Sequence, residues 1–542
     1  MGHSLPRIFR ALVLVLALTP SILNAESAKL DRSLRQSMSR GCSGMQSVII
    51  STEPGYREAL RASLTAHGDS VTGEFPALEA ITARVHCDDL SALAGFAQTR
   101  AVSVNAEVHA SVHPRQREGE SATRLKRSNF ATLGVTGLRA VAPADPPGKG
   151  VGVAVIDSGI EPGADFGERI TAFYDFTGGG IRATSPSDAY GHGTHVAGLI
   201  GSEFVGVATH ARLIGLKVLD REGQGLTDDV VRAIEFAIAN RHVLGIHVLN
   251  LSIGHPIYES AATDPLVQAV EHATRKGLTV IVAAGNFGVH RVTGEVGYGG
   301  IVSPANAPSA LTSGAVDTLD TVSRRDDRMA PYSSRGPSRY DGFTKPDLVA
   351  PGHNLLSVAA ANSTLRRAVE ARGNQTNYMR LSGTSVAAGV TSGIAALALQ
   401  VNYRLTPNAL KAVLAYTSIP VRDSMGDLYD PLTQGTGQIQ AEGAVALAGL
   451  INPSAPMGSD WLRAGFSPST QIGSEVYTWS ESIIWGHRRV TGATVMNEQR
   501  LAWASEIVWG SGFDSDDNVV WGNALASDDN VVWGNSIVWA NE

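Results

Sequence analysis

From Gly150 onward the chain alternates short, unbroken runs of Val, Ile and Leu with longer stretches of helical apolar spacing, and that pattern leaves few folds open. The runs are VGVAVID, LIGLKVL, VLNLSIG, LTVIVAAG and ALTSGAV; between and after them lie HVAGLIGSEF, LTDDVVRAIEFAIANRH, PLVQAVEHATRKG, SVAAGVTSGIAALALQVN and PNALKAVLAYT. A strand that is apolar at every position must be covered on both faces. Strands joined through helices therefore predict an α/β fold: a parallel central sheet with helices on both sides. In such sheets the functional groups gather at the carboxyl ends of the strands. Asp157 ends the first run, Asn250 to Gly254 end the third, and Gly285-Asn286 end the fourth.

Length and composition set the outer bounds. A chain of 542 residues holds roughly two to four domains. Hydrophobic residues at 43% and charged residues at 18% exclude a disordered chain. The net charge is −7 with no basic stripe, which argues against a nucleic-acid partner. Residues 1–25 read as an export signal: Arg7 and Arg10 precede an apolar run from Ala11 to Leu18, and small residues lead to a cut after Ala25. That run is shorter than the roughly 20 residues of a spanning helix. No later segment reads as a transmembrane anchor, so the expected location is secreted or extracytoplasmic.

Residues 26–112 form a first unit. SVIIS, the helical YREALRASLTAHG, ALEAITARV, the helical DDLSALAGFA and AVSVNAEV give strand, helix, strand, helix, strand, the order of a small α+β domain of ferredoxin-like type. The two cysteines, Cys42 and Cys87, both fall here. In an oxidising compartment they form one disulfide or remain as two buried thiols, and sequence leaves both open. A polar linker follows at 113–130, containing the Arg124-Leu-Lys126-Arg127 run, and the sheet-bearing body spans 131–450.

The tail, 451–542, holds all eight tryptophans, at spacings of 18, 6, 18, 6, 12, 12 and 6. A β-branched pair before Trp makes a short strand and Gly-Asn after it a turn. An even period would return each indole to one face, as a structural stalk or as a surface that attaches the protein to a partner or carbohydrate. The Asp516-Asp517 and Asp528-Asp529 pairs match no calcium loop.

Three Gly-rich blocks carry the chemistry: VAVIDSG around Asp157, GHGTHVAG around His192 and SGTSVAAG around Ser385. An acid, an imidazole and a hydroxyl are the parts of a nucleophilic acyl-transfer site. Their order along the chain, with the blocks themselves, resembles the subtilisin-like serine proteases (subtilases), and the resemblance extends over about Gly150 to Ala448 through YSSRGPS, KPDLVAPG and SPANAPSAL. It implies Ser385 as nucleophile, His192 as general base and Asp157 as the group that orients it. His195, Asp175, Asp188 and Ser382 are nearby alternatives that do not match the family motif. The resemblance further implies Asn286 as oxyanion donor, with the Ser385 backbone N–H, and residues 26–112 as a propeptide that inhibits its own enzyme.

Protein or peptide substrate is expected to add as a strand between Gly223-Gln224-Gly225 and Ser252-Ile253-Gly254, with a side-chain slot between the latter and Ala283-Ala284-Gly285. Small residues there imply a broad apolar preference; Glu295, if near the slot, would shift it toward basic side chains. No cofactor is required for this chemistry, and structural Ca²⁺, common in the family, has no locatable site. The chain departs from the family after the nucleophile, with Val386 in place of Met and Gly389 in place of Pro. The alternative function is a surface-attached binding protein that acts through the Trp repeats and carries a vestigial protease domain.

Overall fold

In a computed structural model, the described residues are 28–110, 113–114, 146–290, 293–370, 377–454, 462–486 and 488–491. The export signal, most of the linker and the tail beyond residue 491, with its last five tryptophans, lie outside them. Among the described residues the central sheet has nine strands. Across it run Arg328–Met329, Leu311–Asp317, Thr279–Ala283, Ile246–Leu251, Gly152–Asp157, Arg212–Lys217, Ile170–Asp175 and Arg182–Ala183, with Leu348–Pro351 beside Leu311–Asp317. All inner pairings are parallel, and the antiparallel pairs sit at the edges. Gly152–Asp157 is buried along its whole length, as a strand covered on both faces must be.

One face of the sheet is covered by the helices His192–Gly201 and Thr384–Val401, the other by Thr227–Leu244 and Pro265–Arg275. The helix Thr384–Val401 is long and apolar enough to cross a membrane by length and composition, which the sequence reading did not anticipate. Here 89% of it is buried inside the protein, where its apolar surface meets the sheet.

The first unit is a separate four-stranded antiparallel sheet, in the order Ser70–Phe75, Ala80–His86, Met45–Thr52, Thr99–Val104. With the helices Arg57–His67 and Leu90–Gly95 this makes a β-α-β-β-α-β unit. The strand Ser70–Phe75 escaped the sequence reading because only Val71 and Phe75 in it are large and apolar, and the rest lies at the exposed sheet edge. Cys42 and Cys87 are joined in a disulfide. Ile49, Phe75 and Ala80 belong to the same apolar cluster as the helices Thr227–Leu244 and Pro265–Arg275, so the unit is seated on the body. Asn105 adds a reciprocal pair, donating to Asp228 Oδ1 at 2.9 Å and accepting from the Asp228 N–H at 3.0 Å.

At the other end, hairpins at Ser469–Thr478 and Ser482–Thr491 continue the body. Trp479 is 5% exposed, stacks on Phe466 and donates from Nε1 to Thr470 at 2.7 Å. Trp485 lies 4.6 Å from Lys411 Nζ. These two indoles thus serve different contacts instead of forming one ladder; the other six lie outside the described residues.

The disulfide closes a separation of 45 residues, for which chain entropy gives about 4 kcal/mol as an upper figure. Replacing both cysteines with Ser is expected to lower the urea midpoint of the first unit in the full-length chain, with little change in the transition of the body.

Candidate active site

Each functional side chain sits where an element starts or stops. Asp157 is the last residue of its strand, His192 opens the helix His192–Gly201, and Ser385 is the second residue of the helix Thr384–Val401. Gly193 lets the His192 helix approach the turn after Asp157: a Cβ there would lie 2.2 Å from Gly159 O and 3.0 Å from Asp157 Cβ. Asp188, a rival acid in the sequence, instead caps this helix. It accepts from the Gly191 N–H at 2.7 Å and from Thr194 N–H and Oγ1 at 2.8 and 2.7 Å. Burial holds its pKa above the ordinary carboxylate value, and those hydrogen bonds offset only part of that rise.

The structure brings Asp157, His192 and Ser385 together. His192 Nδ1 is 2.8 and 2.9 Å from the two Asp157 carboxylate oxygens, and Nε2 is 3.0 Å from Ser385 Oγ. A carboxylate only accepts, so Nδ1 carries the proton, and Nε2 is left to accept from the serine hydroxyl. All three residues are at most 1% exposed. Ser252 Oγ donates to the Ser385 carbonyl at 3.0 Å and thereby ties the start of the helix to the neighbouring strand end.

His195, one turn on, is fully buried elsewhere, with Nε2 3.1 Å from Leu355 O. Burial, with a smaller contribution from His192, pushes its pKa down to about 3. It is neutral at working pH and bonds to backbone on the far side of the helix. Asn286 lines the same cavity as Ser385, and its Oδ1 accepts from Thr384 N–H at 2.9 Å and Thr384 Oγ1 at 3.1 Å. Thr384, which the sequence reading passed over, therefore decides which way the amide faces. Its position between Gly383 and Ser385 was the available signal.

The cavity is lined by Ser252, Ile253, Gly254, Ala283, Gly285, Asn286, Thr384 and Ser385, with Phe287 and Val302. Ala284 does not line it. Alternation along extended backbone turns Ala284 into the apolar cluster beneath the opposite face. Glu295 is on an exposed loop with Thr293 and His290, away from the lining.

The strand-binding surfaces are occupied by the chain itself. Glu107–His109 pairs antiparallel with Gln224–Leu226, Val108 opposite Gly225. His109 exchanges both backbone hydrogen bonds with Gly254, at 3.1 and 3.3 Å, and the Ala110 N–H donates to Gly223 O at 3.2 Å. After Ala110 the next described residues are His113–Pro114, which pair with Ser382 and Leu381 in the strand that leads to Ser385. These two residues form a strand where the sequence suggested linker, because the edge at Tyr378–Ser382 offers them hydrogen bonds.

A model of the subtilase family matches residues 148–442. The chain is 38% identical over 310 residues to serine protease AprX of Bacillus subtilis, covering 55% of this chain and 66% of that protein. It is 33% identical over 302 residues to subtilisin Savinase of Lederbergia lenta, covering 55% of this chain and 91% of that protein. Against alkaline serine exoprotease A of Vibrio alginolyticus, 31% identical, the match spans 42% of the relative's length. Thus the chain spans under two thirds of that relative and 66% of AprX. In fold it is similar to fervidolysin from Fervidobacterium pennivorans, with a TM-score of 0.56 at 20% identity, over 75% of this chain and 61% of that one.

Because His195 loses its proton on folding, it favours the native state fully above its ordinary pKa of 6.5. That contribution is lost as pH falls from there toward about 3, at about 1.4 kcal/mol per pH unit. His195→Gln retains a donor for Leu355 but cannot titrate. Its thermal stability is expected to fall less steeply than that of the parent between pH 6.5 and 4.

Proposed function

Since the chain belongs to the subtilase family, we propose that it is an exported serine endopeptidase, made as a zymogen, which hydrolyses peptide bonds through an acyl-enzyme. The observation that carries this reading is the relay from Asp157 through His192 to Ser385, with contacts of 2.8 and 3.0 Å. Serine is a weak nucleophile at its own pKa, so a base must remove its proton as it attacks. His192 Nε2 accepts that proton and returns it to the leaving amine. Asp157 holds the imidazole in the required tautomer and stabilises the imidazolium without being protonated itself.

Negative charge then develops on the former carbonyl oxygen. Asn286 supplies an amide N–H from the cavity wall, and the Ser385 N–H adds a second donor at the start of a helix, where the dipole favours an anion. Substrate binds as a strand between Gly223–Gly225 and Gly254, with the side chain before the scissile bond in the apolar cavity beside Ala283 and Gly285.

Support for a zymogen comes from the segment Glu107–Ala110, which pairs with the two edges assigned here to substrate and sets His109 in the wall of the cavity that Ser385 lines. Ala110 is held by Gly223 and His113 pairs with Ser382, three residues before Ser385, which favours a maturation cut between Ala110 and His113. The export signal of 1–25, the cut at Ala25 and an extracytoplasmic location remain part of this reading, as does a non-catalytic, attaching role for the tail. Similarity to serine protease AprX and subtilisin Savinase favours the enzyme over a binding protein with a vestigial domain.

A fluorophosphonate probe is expected to label the processed protein and to fail on Ser385→Ala; absence of label on the processed parent would reject the enzyme. Asn286→Ala is expected to lower kcat by about 10² to 10³ with little effect on KM, the loss of one oxyanion donor. Mass spectrometry of purified full-length protein left to mature should find a new N-terminus between Ala110 and His113. A first cut after Arg127 instead would show that another enzyme, or another segment, controls maturation.

A further inference from the structure

Far from the triad, the first unit gathers four side chains that the proposed chemistry does not use. His67 ends the helix Arg57–His67, and the left-handed Gly68 after it turns the chain so that Asp69 follows directly. His86 ends the strand Ala80–His86, and Asp89 ends the short turn Cys87–Asp89. Strand pairing of Ser70 with Arg84 brings these two stretches side by side. One donor atom from each of the four residues lies within 4.8 Å of all the others. His67 Nδ1 is 3.2 Å from Asp69 Oδ2 and 3.8 Å from Asp89 Oδ2; His86 Nδ1 is 3.5 Å from Asp69 Oδ1 and 3.7 Å from Asp89 Oδ2.

We propose that His67, Asp69, His86 and Asp89 form a binding site for one divalent transition-metal cation, with zinc the best fit. A tetrahedron with bonds of about 2.0–2.1 Å has edges of about 3.3–3.4 Å, close to the separations observed. Two imidazoles and two carboxylates suit zinc in donor type, whereas calcium and magnesium want oxygen alone. The charges also balance, two carboxylates against one dication.

The Asp69 side chain supplies an independent sign. It is only 3% exposed, and its Oδ1 has no hydrogen-bond partner among the described residues; Asp89 Oδ2 likewise has none, on a side chain that is 31% exposed. An orphaned, buried carboxylate oxygen is costly unless a cation meets it. The imidazoles, 56% and 54% exposed, give an ion a way in. Bound metal would pin a helix end, the start of one strand and the end of the next, beside the Cys42–Cys87 link, so that binding energy becomes folding energy for this unit.

The test is calorimetric titration of Zn²⁺ into full-length Ser385→Ala protein, in which the first unit stays attached. It reads binding alone and therefore stands apart from the protease reading. One Zn²⁺ per chain is expected at micromolar or tighter Kd, weakened by about tenfold or more in both His67→Gln and His86→Gln. Co²⁺ in place of Zn²⁺ should give the visible absorption of a tetrahedral site. Both histidines are more than half exposed, so the variants should fold, and far-ultraviolet circular dichroism checks that they do. If one variant fails to fold, the other decides. Absence of binding at micromolar Zn²⁺, or binding unchanged in a folded variant, would overturn the site and leave ordinary histidine–carboxylate ion pairs.

Discussion

Close packing of two helices over one sheet is the constraint from which the site follows. The helix Thr384–Val401 carries Ser385 and the helix His192–Gly201 carries His192, and each can come near the other only because small residues line the seam. A Cβ on Gly389 would lie 3.3 Å from Val196 O of the facing helix, and one on Gly393 would lie 2.5 Å from Val207 Cβ in the segment that follows that helix. The departure from the family's Pro at position 389 thus coincides with a close helix contact. In a densely packed interior, side chains at the two helix starts inherit their separation from the seam, and a 3.0 Å approach of imidazole to hydroxyl follows.

Around that seam the site is held by polar groups that never touch a reacting atom. Asp188 caps the His192 helix, Ser252 ties down the Ser385 carbonyl, and Thr384 fixes the Asn286 amide. Each is buried, so each hydrogen bond is made in a medium where leaving it unmade is expensive. Preorganisation of this kind lets the cleft present donors to a developing charge without rearranging when the charge appears.

The first unit pairs with the backbone edges that the proposed function assigns to substrate. Its Glu107–His109 strand completes a small sheet with Gln224–Leu226, while Asn105 and Asp228 lock the register just upstream. A strand-binding cleft reads backbone more than side chain, so a covalently attached segment at high effective concentration is a natural occupant.

Much of this was legible in the amino-acid sequence. Unbroken apolar runs such as VGVAVID determined a parallel sheet covered on both faces, because no other arrangement buries both sides of every strand. The blocks around Asp157, His192 and Ser385 determined which chemistry was available, since side-chain type and local turn are encoded nearby. Features that depend on distant partners were not legible. The strand Ser70–Phe75 has only Val71 and Phe75 as large apolar residues and lies at an edge, Trp479 looks like one of a series until Phe466 and Tyr416 surround it, and Ala284 differs from Ala283 only in the face it turns to. Which of two histidines meets the serine, which aspartate caps and which relays, whether Cys42 meets Cys87, and that His67, Asp69, His86 and Asp89 converge were decided by tertiary structure alone. Local sequence sets what a side chain can do, but only packing of remote segments sets what it stands beside.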